Sequence, residues 1–178
     1  GGSVTLNSSL TVANTIVDVP LIVAVNNVVI DADISNSTTD NAVTINSGVT
    51  FGDYTRILTN SGTGSGIENN GTITNISGTL TNSGSGYGID NNNGGTITDI
   101  SGTLTNSGGG VGIYNGGTIT NISGTITNSG GGSGIANQGG TIDIITGTLN
   151  NSGGGSGIQN YATITDISGT ITNSGGGY

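Results

Sequence analysis

The chain has no cysteine, histidine, methionine or tryptophan, a single proline and a single cationic side chain, Arg56. Without thiols there are no disulfides, thiolate metal sites or cysteine nucleophiles. Without imidazole the commonest general base and metal ligand is missing as well. The absence of cysteine leaves the compartment open. Ten acids against Arg56 give a formal net charge of −9, and there is no basic patch to attract nucleic acid or an anionic membrane surface. The longest apolar stretch, Pro20-Leu21-Ile22-Val23-Ala24-Val25, is broken by Asn26-Asn27 and is far too short to span a bilayer, so it reads as a buried strand and no membrane insertion is expected. The chain opens Gly1-Gly2-Ser3 with no initiating Met and no charged leader. That start suits a processed secreted protein, extracellular or at the cell surface, or an expression remnant.

Aromatics make up 3% of the residues and charged residues 6%, so a thick core is not available. Disorder is a poor alternative, because disordered chains are rich in Pro, Lys and Glu, and here Ile and Thr recur on a schedule. Thirty-seven glycines punctuate that schedule. Five blocks begin near Gly71, Gly94, Gly116, Gly139 and Tyr161. The Ile of Thr-Ile-Thr recurs at Ile73, Ile97, Ile119, Ile142 and Ile164, in steps of 24, 22, 23 and 22 residues. Leu80, Leu104, Ile126, Leu149 and Ile171 keep the same steps.

Within a block, apolar residues alternate with Thr or Asn, the period-two signature of a strand with one buried face. Three strands per block, of the types Thr-Ile-Thr-Asn-Ile, Gly-Thr-Leu-Thr-Asn and Gly-Ile-x-Asn, are separated by Gly-rich bends. A helix is excluded because Thr, Gly and Asn are poor helix formers and the 3.6-residue period is missing. The expected fold is all-β: one parallel β-solenoid of about eight triangular coils, 22–24 residues per coil, right-handed. Residues 1–55 would form irregular N-terminal coils and 56–178 regular repeats. Candidate strands in the first part are Val4-Thr5-Leu6, Leu10-Thr11-Val12, Val28-Val29-Ile30 and Ala42-Val43-Thr44-Ile45.

Stacking at about 4.8 Å per coil places like on like, so the core becomes a set of ladders with about four inward apolar side chains per coil. Asn82, Asn106, Asn128, Asn151 and Asn173 form one column, in which amides can bond along the stack; turn asparagine tolerated for its left-handed propensity is the other reading. Stacked like charges cost roughly 1 kcal/mol even in water. The column at 75, 99, 121, 144 and 166 accordingly reads Asn, Asp, Asn, Ile, Asp, with no two carboxylates adjacent.

With these Gly/Asn/Thr repeats, and with Asn41-Ala42-Val43-Thr44-Ile45-Asn46-Ser47-Gly48-Val49-Thr50, the chain resembles the right-handed parallel β-helices of microbial surface proteins, notably autotransporter passenger regions. The resemblance implies location and fold, not a ligand. It lacks the family's membrane barrel and carries no Arg-Gly-Asp.

Motifs that carry chemistry are sought in vain. Pectinolytic enzymes share the expected fold and need clustered Asp with a cation on one face. Asp31 and Asp33 are the nearest approach; no basic partner is expected near them, and they read as a solvated edge pair. The Gly runs at 108–110, 130–132 and 153–155 lack the lysine and helix of a phosphate cradle, and no Gly-Gly-x-Gly-x-Asp repeat or Asp column is present to hold calcium. No enzyme activity, cofactor or metal is expected. Outward Thr ranks at 72/74, 96/98, 118/120 and 163/165, broken by Asp143, and at 79/81, 103/105, 125/127 and 170/172, broken by Asn150, raise an ice-binding alternative. Thr is also simply a good strand residue. The Asn-x-Ser/Thr triplets at Asn7, Asn36, Asn70, Asn75, Asn121 and Asn150 are what so Asn- and Thr-rich a chain yields by chance.

The last block stops at Tyr178, which aligns with Tyr87, so the final coil reads as two-thirds complete, with Ile164 and Ile171 exposed. Residues Gly2 to Leu6 of another copy, with Val4, Thr5 and Leu6 as the pairing strand, or the whole first coil of that copy, would complete it. The leading expectation is a structural subunit of a head-to-tail filament or sheath, its partner being itself; an adhesin or passenger fragment is a further alternative.

Overall fold

Short alternating runs of Thr, Ile and Asn favour extended backbone, and near-identical runs pair best with their own copies. The structure, a computed structural model describing residues 2–177, is a parallel β-solenoid. Its described residues form twenty-four short strands and no helix, disposed on three faces in eight rungs. Seven axial steps of about 4.8 Å make a stack ~34 Å long.

The first face is an eight-stranded sheet running from Val4–Leu6 to Ile158–Asn160. The third is an eight-stranded sheet from Ile16–Val17 to Thr170–Asn173. The second face is six-stranded, from Thr50–Tyr54 to Thr163–Ile167, and its first two rungs form a separate pair, Leu10–Thr11 with Ile30–Asp31. The break has a local cause. Asn27 adopts φ 61°, and Asn26 and Asn27 bond to Thr50 in place of a strand, Oδ1 of Asn26 accepting from Thr50 N at 2.7 Å.

Register follows the repeat. Ile73 pairs with Ile97, Ile97 with Ile119, Ile119 with Ile142 and Ile142 with Ile164. Leu80, Leu104, Ile126, Leu149 and Ile171 do the same on the third face. In the fourth rung Ile67, Ile73, Ile76 and Leu80 point inward and are buried. Four aliphatic side chains per rung make a thin core, so order leans on the backbone ladder and on buried amides. The early rungs are filled more heavily. Leu6, Val23 and Ile45 occupy the column that becomes Asn69, Asn91 and Asn115, while Phe51 and Tyr54 head the Ile73 and Ile76 columns.

The corners explain the glycine content. A Cβ on Gly108 would run into the carbonyl oxygen of Gly84, and one on Gly130 into that of Gly108. Between these, Gly109 and Gly131 face open space. Only Cβ-free residues let successive corners approach this closely.

The described solenoid finishes on a full rung, Ile158–Asn160, Thr163–Ile167 and Thr170–Asn173, rather than on two-thirds of one. The two-thirds count came from starting each turn at the second face. Tyr178 lies outside the described residues.

Candidate functional site

Inward positions are taken up by ladders. Asn82 Nδ2 donates to Asn106 Oδ1 at 2.8 Å, Asn106 to Asn128 at 2.7 Å, and Asn128 to Asn151 and Asn151 to Asn173 at 2.6 Å each. The second hydrogen of each amide caps its own corner, as from Asn106 Nδ2 to Gly110 O at 2.7 Å. The column extends back through Asn60 to Asn36.

A second, equally regular amide ladder runs up the first face through Asn69, Asn91, Asn115, Asn137 and Asn160, each step 2.8 Å. Sequence reasoning placed Asn in the Gly-Ile-x-Asn strand without assigning it this role. The signal was there, because these asparagines recur in the same steps of 22–24 residues.

Outward columns carry the charge. On the second face Asp53, Asn75, Asp99, Asn121, Ile144 and Asp166 lie in register. Asp53, Asn75, Asp99 and Asn121 each accept from the Ser or Thr one rung on: Ser77 Oγ donates to Asp53 Oδ1 at 2.9 Å and Ser123 Oγ to Asp99 Oδ2 at 2.9 Å. The Asp53 and Asp99 carboxylates are thus tied into the stack.

The expectation that Asp31 and Asp33 have no basic partner is wrong. Arg56 Nε lies 3.7 Å from Asp31 Oδ1 and 3.2 Å from Asp33 Oδ1. The solenoid brings them together because residue 56 lies one coil above residue 32, a proximity that linear spacing hides. Asp33 Oδ1 also accepts from Ile57 N at 3.1 Å, so the cluster ties the second rung to the third. Tyr54 beneath it gives its hydroxyl to Ala32 O and Ile57 O, both at 3.1 Å, and burial holds its phenol neutral far above the usual range.

Two carboxylates do stack directly, contrary to the alternation on the second face: Glu68 and Asp90 are register partners on the first face. Tyr114 follows in the column and stacks on Tyr87, with ring centroids 4.9 Å apart. Among the described residues no group of three or more acidic, His or Cys side chains is placed to hold a metal ion.

The last rung differs from all others. Ile142 and Leu149 are sealed, but one rung on Ile164 is only half-buried, Ile167 is 45% exposed and Ile171 39%. With Gly157, Ile158, Asn160 and Asn173 these residues line an open hollow of about 410 Å³. Asn173 and Asn160 turn their donors back onto Gly177 O and Ala162 O, with no amide above them in the described residues. At the opposite end Val4–Leu6 is the outermost strand of its sheet, paired on one side to Leu21–Val23, with Val4 and Thr5 exposed and Leu6 buried. The two ends have the same three-faced outline, so stacking would set Ile158 on Val4, Ile164 on Leu10 and Ile171 on Ile16. Asn160 would meet Leu6 and Asn173 would meet Asp18, two columns without a like partner. No family model, curated protein or solved structure gives a significant match to the chain.

Proposed function

We propose that this chain is a structural protein, extracellular or at the cell surface, that works as a stackable rod and forms filaments head to tail. The like-on-like register supports the reading: regular rungs pair through matching columns, and the eighth rung carries the apolar residues Ile164, Ile167 and Ile171 that a rung of a second copy would cover. Burying the exposed parts of Ile164, Ile167 and Ile171 is worth about 1 kcal/mol each, added to a rung of backbone hydrogen bonds and set against the entropy of association. The Asn160 to Leu6 mismatch makes such a joint weaker than an internal step, so assembly is concentration dependent. The contact is heterologous and does not close, which yields an open filament rather than a dimer. The autotransporter-like repeat composition supports the same placement outside the cell.

Sedimentation and negative-stain microscopy over a concentration series test this. Wild type is expected to form rods of constant width and growing length, and Ile171→Asp to stay monomeric with its β-sheet spectrum intact. A wild type that is monomeric throughout, or an Ile171→Asp variant that still polymerises, overturns it.

One observation favours a second reading. From the third rung on, the outward columns of the third face, headed by Ile57 and Thr59 and continued by Thr79 and Thr81, contain no charged residue in a chain of net charge −9. An uncharged, regular Thr grid of this kind suits ordered water, the ice-binding alternative. The second face, with Asp53, Asp99, Asp143 and Asp166, does not.

A further inference from the structure

On the outer side of the first face, Thr44, Glu68, Asp90 and Tyr114 follow one another rung by rung. Parallel pairing puts the Glu68 and Asp90 backbones about 4.8 Å apart. Glu68 is surrounded by donors. Its Oε2 accepts from Asn41 Nδ2 at 2.7 Å and Thr44 Oγ1 at 3.2 Å, and its Oε1 from Asn92 Nδ2 at 3.1 Å. Three side-chain donors thus converge on its two oxygens.

Asp90 has the opposite surroundings. Its Oδ1 is buried and accepts no hydrogen bond. The titratable neighbours are Glu68 below, Tyr114 above and Tyr87 stacked on Tyr114, with Asp40 in the corner beside Asn41. No cation faces the pair, since Arg56 is engaged with Asp31 and Asp33. An unsolvated carboxylate oxygen with no donor, next to a second carboxylate, is unfavourable as an anion and acceptable as an acid.

We propose that Glu68 and Asp90 form a proton-held latch between the fourth and fifth rungs. With one proton on the pair the two rungs close on each other; with both groups ionised they repel and the step opens more readily.

Burial first, and the charge of Glu68 second, push Asp90 from 3.8 up to about 6. The folded state therefore holds this proton more tightly than the unfolded chain. The stabilisation is complete below the unfolded value and is lost as pH rises through the folded one, in the window from 3.8 to about 6.

Carboxyl NMR titration and amide exchange on the full chain test the latch. Asp90 is expected to titrate near 6. Protection at residues 89–91, corrected for intrinsic exchange, should fall about tenfold from about pH 4 to about pH 8, a part-exposed group giving less than its whole shift. Asp90→Asn should abolish that pH dependence while leaving the rung intact. Glu68→Gln removes the neighbouring charge but not the burial, and should bring the Asp90 midpoint part of the way down. If Asp90 titrates in the ordinary carboxylate range, or if Asp90→Asn keeps the wild-type pH dependence, there is no latch.

Discussion

Asn106→Ala removes one amide from the middle of the third-face ladder and takes a hydrogen bond from each of three buried groups. Asn82 Nδ2 loses its acceptor, Asn128 Oδ1 loses the donation it received, and Gly110 O loses its cap. All three asparagines are at 0% exposure, so water does not replace the lost bonds without opening the corner. Each such loss in a buried setting costs about 1–3 kcal/mol. Taking the lower half of that range, because the corner relaxes, the variant loses about 3–6 kcal/mol. With a urea m-value of ~2 kcal/mol/M the midpoint falls by roughly 1.5–3 M.

Asn121→Ala is the matched control. Its side chain lies on the outward column of the second face, where its Oδ1 accepts from Thr146 Oγ1 at 3.2 Å in an exposed setting. Its loss should cost about 0.5 kcal/mol or less. Amide exchange localises the damage, which should centre on the rungs holding Asn82, Asn106 and Asn128, because a solenoid couples nearest neighbours first. If the two variants unfold within about 0.3 M of each other, the amide column is a passenger and the stability of the corners lies elsewhere.

Two further tests separate shape from chemistry. Gly108→Ala drives a methyl into the Gly84 carbonyl and should cost about 3 kcal/mol or more, whereas Gly109→Ala, facing open space one residue on, should change the unfolding midpoint little; equal effects would mean that the corners do not pack as described. On the Thr grid, thermal hysteresis in wild type that is lost in Thr105→Lys on the third face and kept in Thr98→Lys on the second supports the ice-binding reading, and its absence from wild type ends it.

The fold was legible because its information is periodic. Ile73, Ile97 and Ile119 recur at one coil length, and once like stacks on like the register of every regular strand follows. The irregular rungs were only partly readable. Leu21–Val23 stood out as an apolar run, but Ile16–Val17 and Ile34–Asn36 are two- and three-residue strands with no copy strong enough to align them. What linear reading missed are contacts one coil apart between unlike residues. Arg56 reaches Asp31 and Asp33, and Glu68 sits under Asp90, because both relations depend on the exact length of the coil between them. Ladders of identical residues tolerate an error of one in the count. A heterotypic pair does not.

That asymmetry also says where function has room to arise. An inward substitution disturbs the rungs above and below, and corner glycines such as Gly108 and Gly130 are closed to any side chain, so both are held by packing alone. Outward columns and corner lengths are freer. Between the first and second faces the corner is four residues at 92–95, two at 116–117 and three at 138–140, and the short one leaves an open hollow of about 280 Å³ walled by Thr96, Thr118 and Thr141. The acids are likewise spread over outward columns, with Asp53 and Asp99 tied to serines and Glu68 stacked on Asp90. In a rod whose interior is fixed by repetition, the departures from repetition are the places that can respond to a partner, a surface or a proton.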